Sequence, residues 1–237
     1  MESLIGTAIF AAACFLIFLC FKWLDKRLLL GFGILFAAYI GIDDVLTGLP
    51  SLVPALRQMP GQWNWAGKIL SLIFSFIVIF TLQIDKTATG LTLKLVNLNK
   101  SLIALLILTL ISFSIGFIFK PELPDAETIA FQALMPGLAE EIAYRGIAPA
   151  LLLGLIRFKP APREIPWVVV LITGISFGIW HGISYSDSSL SFDIMSAVFP
   201  LLGGIAYGWL RFYSGSLLLP VIAHGLGNNV FYLWSLV

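Results

Sequence analysis

The stretch 102-LIALLILTLISFSIGFIF-119 runs for eighteen residues without a charged side chain. At 1.5 Å rise per residue such a run spans about 27 Å as a helix, close to the roughly 30 Å hydrocarbon core of a bilayer. Seven more apolar stretches flank it, at approximately Leu4–Leu24, Leu28–Leu49, Ala66–Leu82, Thr128–Ile156, Ile165–Tyr185, Phe192–Phe212 and Ser216–Trp234. Together they predict an all-α fold, a polytopic membrane bundle of about eight transmembrane helices. Composition agrees: 59% of the 237 residues are hydrophobic and 11% charged, where soluble domains carry about 25% charge. The chain reads as a single integral-membrane domain, residues 1–237, with membrane lipid as its surroundings. A net charge of +1 says nothing about nucleic acid, but no basic cluster looks like a phosphate-tracking patch, so no nucleic-acid partner is expected.

The N-terminus reads as a retained first span. Glu2 stands where a signal peptide would carry positive charge, and the apolar run that follows is long for a signal. Cys14 and Cys20 lie within that run without polar neighbours and read as small apolar helix residues. Charge between the spans is lopsided. Ten basic residues, among them Lys26, Arg27, Lys86, Lys94, Lys159, Arg163 and Arg211, fall to the odd-numbered connections. Only Arg57, Lys68 and Lys120 fall to the even ones, beside Asp43, Asp44, Glu122, Asp125, Glu127 and Asp187. The positive-inside rule then puts the odd connections in the cytoplasm and both termini outside, in what reads as a prokaryotic plasma membrane. Trp63, Trp65 and Trp234 are expected at the interfaces.

Ionisable residues at membrane depth cost about 2.5–3.5 kcal/mol each on insertion scales, so they face a bundle interior and work there. Three such patterns occupy the last spans: Glu140-Glu141-x-x-x-Arg145, Phe177-x-x-x-His181 and His224-x-x-x-Asn228. His181 and His224 are every histidine in the chain. Residues four apart share a helix face, so Glu141 and Arg145 are natural partners, while Glu140 diverges and keeps a free carboxylate. Pro136-Gly137 is expected to break the long fifth stretch and to place both glutamates in the first turn of a second helix. Phe177 walls the imidazole of His181. His224 and Asn228 present hydrogen-bond donors from one face, with Gly225 and Gly227 allowing close backbone approach. Peptide hydrolysis needs an activated water and donors for an oxyanion. Glu140 with His181 would hold and deprotonate water, and His224 with Asn228 would stabilise the oxyanion.

These three motifs, in order and spacing, resemble those of the CPBP intramembrane proteases, the group of type II CAAX prenyl endopeptidases and bacterial Abi-type proteins. The similarity covers roughly residues 128–237. The resemblance implies an eight-helix fold, Glu140 as general base, His181 as its water-holding partner, His224 with Asn228 as the oxyanion hole, and Glu141 and Arg145 as support. It also implies a peptide or protein substrate, such as a prenylated C-terminus or a leader peptide. Glu140, His181 and His224 would suit a two-histidine, one-carboxylate zinc site, but no His-Glu-x-x-His helix is present and a metal-free glutamate mechanism is favoured. Two other readings use the same residues: a proton-coupled transporter, and a non-catalytic membrane immunity or scaffold protein. The transporter would show paired broken helices in symmetric halves, which the sequence lacks.

Overall fold

The computed structural model describes residues 2–57, 61–157 and 164–236. Lys159, Arg163 and Val237, which entered the reading above, lie outside them. Helices form on the apolar stretches: α1 (Glu2–Leu24), α2 (Leu30–Leu52), α3 (Trp65–Thr81), the short α4 (Lys86–Thr89), α5 (Leu98–Phe119), α6 (Ala126–Glu141), α7 (Ala148–Leu152), α8 (Trp167–Gly182), α9 (Ile194–Ser214) and α10 (Leu218–Val230). The molecule is an all-α bundle. Among the described residues α1, α2, α5 and α9 are long and apolar enough to cross a membrane, while α3 and α8 are apolar but shorter. Helix length alone therefore does not deliver eight full spans.

In lipid the outer surface is as apolar as the core, so burial follows packing rather than hydrophobicity. α1 buries Phe10, Cys14 and Phe18 at four-residue spacing and leaves Leu16 and Cys20 exposed. α5 turns Ile103, Leu106 and Leu110 outward. Close approach is bought by glycine at two crossings. A Cβ at Gly178 of α8 would lie 2.6 Å from that of Leu201 on α9, and one at Gly225 of α10 would lie 2.3 Å from the Ala133 carbonyl of α6. The starts of α3, α6 and α9 are capped by side chains: Asn64, Asp125 and Asp193 accept from Gly67, Thr128 and Met195 backbone N–H groups.

Three expectations need correction. First, Pro136-Gly137 does not break its helix. α6 runs through both residues, because α10 packs along this segment and supports it; a Cβ at Gly137 would lie 2.9 Å from the Val221 carbonyl. The irregularity comes later, as a fully buried π-helical turn at Ile142–Ile147 that joins α6 to α7. Glu140 and Glu141 consequently end α6 rather than open a new helix.

Second, the sixth apolar stretch stops being helical at Gly182. A hairpin follows, β1 (Ile183–Ser186) paired antiparallel with β2 (Ser189–Phe192). Its two-residue turn, Asp187-Ser188, is left-handed at both positions, the conformation that matches strand twist.

Third, several charges assigned to connections are helical and buried. Asp43 lies in α2, where it accepts from Ser71 Oγ at 2.6 Å. Lys68 lies in the first turn of α3. Arg211, buried in α9, donates to the Thr87 and Ala88 carbonyls. Setting Lys68 and Arg211 aside leaves the basic bias in place.

The three tryptophans also make contacts within the protein. Trp63 stacks on Phe131 and donates to Thr128, Trp65 donates to Glu127, and Trp234 donates to the Phe113 carbonyl.

Three long-range hydrogen bonds tie the second connection to the fourth and the N-terminus to the sixth. Glu127 at the start of α6 accepts from the Gln62 and Trp63 backbone, and Glu2 accepts from the Ser188 backbone in the hairpin turn.

Candidate active site

α6 presents Gln132, Pro136 and Glu140 at four-residue spacing to a cavity of about 1080 Å³. Phe177, Trp180 and His181 from α8 line it, as do Tyr207 from α9 and His224 and Asn228 from α10. One wall is apolar, built by Leu108, Ile111 and Ile115 of α5 with Phe199 and Leu202 of α9. Ile111 and Leu202 are also half exposed to the surroundings of the bundle, so this wall is continuous with the lipid-facing surface. The three sequence patterns thus meet at one place. Glu140, Phe177, His181, His224 and Asn228 all line the cavity, and Glu141 and Arg145 lie behind it.

Behind the cavity, Arg145 Nη1 is 3.1 Å from Glu141 Oε1, the expected i, i+4 pair. The same oxygen accepts a hydrogen bond of 2.7 Å from His224 Nδ1. One fully buried carboxylate therefore links α6, the π-helical turn and α10. The Arg145 guanidinium lies 4.1 Å from the centre of the Phe177 ring, and that ring packs edge-on to His181 with centroids 4.5 Å apart. Phe177 is more than a wall for its own histidine. It couples the arginine of one motif to the imidazole of another.

The two histidines are set up differently. His181, exposed to the cavity, donates from Nδ1 to the Phe177 carbonyl at 2.9 Å, which leaves Nε2 as a lone-pair nitrogen in the neutral ring. His224 is buried, donates from Nδ1 to Glu141, and holds Nε2 3.7 Å from Glu140 Oε2. Nε2 of His224 donates only when both ring nitrogens carry protons. Asn228 Nδ2 donates to Gln132 Oε1 at 2.8 Å, which fixes the amide and leaves it a second N–H.

Glu140 does not keep the free carboxylate expected of it. Its Oε1 accepts from the Lys68 ammonium at 2.6 Å, both groups being about nine-tenths buried. Its Oε2 is buried without a hydrogen-bond partner in the protein. Lys68 and Gln132 are the residues that motif reasoning missed. Periodicity was the available signal. Lys68, Ser71 and Ser75 form a buried polar stripe along one face of the otherwise apolar α3, and Gln132 sits two turns before Glu140. Zinc does not fit this arrangement. The ammonium of Lys68 sits on the carboxylate a metal would need, and among the described residues no three His, Cys, Asp or Glu side chains gather as a metal cradle.

Residues 124–230 match the model of the family described as Rce1-like, type II CAAX prenyl endopeptidase Rce1-like. No curated protein and no solved structure matches the chain. The matched stretch runs from the N-cap of α6 to the end of α10 and contains all three sequence patterns, whereas Lys68 lies outside it. Residues 124–230, just under half of the chain, are thus similar to the Rce1-like type II CAAX prenyl endopeptidases, a protease family, and the long apolar helices are those of a helical membrane protein.

Proposed function

We propose that the chain is an intramembrane endopeptidase in which Glu140 activates a water molecule for attack on a peptide carbonyl. The observation that carries this reading is the convergence of Glu140, His181, His224 and Asn228 on one cavity from three separate helices. A water held between Glu140 Oε2 and His181 Nε2 gives its proton to the carboxylate as its oxygen adds to the carbonyl. The proton then passes to the departing amine, and the carboxylate is restored. The tetrahedral oxyanion takes hydrogen bonds from the second N–H of Asn228 and, in the steps where its Nε2 carries a proton, from His224, each worth about 2.7–4 kcal/mol in the transition state. Glu141 and Arg145 act at one remove, by fixing the His224 ring. No step is assigned to zinc, for the reason of fit given above.

The apolar wall of α5 and α9 suits a substrate that carries its own apolar group, as a prenylated C-terminus or a membrane-seated leader peptide does. Lys68 and His181 both sit at the helix ends nearest the even-numbered connections. The substrate therefore reaches the site from the side of both termini, which the charge bias puts outside the cytoplasm.

The test is incubation of the purified protein, with and without chelator, against a peptide library that includes prenylated C-termini, with products identified by mass. Discrete cleavage products that persist in chelator are expected. Absence of cleavage across both lipidated and plain peptides would contradict the reading.

A further inference from the structure

Glu140 meets a charged or titratable group from each of three neighbouring helices: Lys68 on α3, His224 on α10, and His181 on α8, which shares its cavity. On its own helix Glu141 is engaged with Arg145 and His224, and Asp43 on α2 is held by Ser71. Of these only the Lys68 ammonium is within hydrogen-bond distance of the Glu140 carboxylate. Lys68 is itself held. Its Nζ lies 4.9 Å from the centre of the Trp180 ring, and Trp180 Nε1 donates to Asp44 Oδ1 at 2.7 Å. Asp44 on α2, Trp180 on α8, Lys68 on α3 and Glu140 on α6 thus form one chain of contacts.

A carboxylate that is 7% exposed and lacks a counter-charge takes up a proton rather than stay ionised in an apolar surround. A protonated carboxyl cannot accept a proton from water. A counter-ion placed symmetrically on both oxygens would block the base as well. Here it occupies Oε1 alone, and Oε2 is left without a partner, 3.7 Å from the His224 ring.

We propose that Lys68 is a positioning residue for this site: by holding Oε1 it keeps Glu140 ionised and sets Oε2 as the oxygen that receives the proton. The proposal rests on the reading of Glu140 as the base. It also assigns a working part to the N-terminal helices, because Lys68 lies outside the stretch matched to the family.

The experiment uses full-length protein in nanodiscs and two readouts. The first needs no activity: infrared difference spectra near neutral pH, with the Glu140 carboxyl band identified by its loss in Glu140→Gln. Wild type and Lys68→Arg should show the ionised band, and Lys68→Met the protonated one. An ionised band in Lys68→Met overturns the proposal. The second readout is cleavage of a fluorogenic farnesylated CAAX peptide. Lys68→Met should lose about 10²-fold or more in kcat, with KM little changed, and Lys68→Arg should recover most of the loss. Loss of activity with an unchanged band, or Lys68→Met within about threefold of wild type, overturns the proposal. If wild type cleaves nothing while the bands behave as stated, the protease mechanism falls and the hold of Lys68 on the carboxylate stands. Melting temperatures of both variants within a few degrees of wild type separate positioning from folding.

Discussion

Arg145→Met is the most informative structural perturbation. The arginine is 1% exposed and Glu141 is fully buried, with 3.1 Å between Nη1 and Oε1. Methionine keeps most of the aliphatic volume and removes the charge, so the change isolates the electrostatic loss. Glu141 is left with the His224 Nδ1 bond alone, and the face of Phe177 loses its cation. Breaking a buried pair from one side costs about 3–5 kcal/mol. For a chain of this size each kcal/mol moves Tm by about 2–4 °C, so a fall of roughly 6–20 °C is expected. The assay is thermal unfolding in detergent, followed by intrinsic tryptophan fluorescence. Asn228→Ala is the control, since it lines the open cavity and removes no charge, and it should melt close to wild type. The double variant Glu141→Leu with Arg145→Met removes both charges and should regain part of the loss. The reasoning is refuted if Arg145→Met melts with Asn228→Ala, or if the double variant is as unstable as the sum of its parts.

Three further outcomes are expected. Gly225→Val should lower folded yield and stability sharply, because a Cβ there would sit 2.3 Å from the Ala133 carbonyl; size-exclusion profiles indistinguishable from wild type would contradict the close α6–α10 crossing. A reporter fused after Val237 should behave as extracytoplasmic and a tag in the 85–97 connection as cytoplasmic; the reverse pattern would overturn the orientation and the side of substrate approach. Asn228→Ala should lower kcat by about 10²–10³ with KM little changed, and purified wild type should carry no stoichiometric metal; one zinc per chain, lost in His224→Ala, would require Glu140, His181 and His224 to be reread as ligands.

What was legible in the sequence was what repeats at the helical period. Glu141 with Arg145 and Phe177 with His181 are i, i+4 pairs, and each partnership is visible in the structure at contact distance. The apolar stretches located the helices for the same reason. Contacts between helices distant in sequence follow no such period. Lys68 is 72 residues from Glu140, and a lysine opening an apolar helix looks the same in sequence whether it faces the headgroups or a buried carboxylate. The continuity of α6 through Pro136 was hidden because it depends on α10, which packs against Gly137 from more than eighty residues away. The π-helical turn holds one glycine, Gly146, which in an apolar helix does not announce a π-turn, and the Asp187-Ser188 turn holds neither glycine nor proline; tertiary packing decided both.

The central claim, that Glu140 is the group that activates water, is tested most directly by comparing wild type with Glu140→Gln on any peptide that wild type cleaves. The glutamine keeps an acceptor for Lys68 and the packing of α6, and removes the negative charge together with the capacity to take a proton. Loss of a positioned general base lowers turnover by about 10²–10⁴-fold in the folded fraction, with KM close to wild type. A Glu140→Gln protein that keeps more than about a tenth of wild-type turnover would contradict the account.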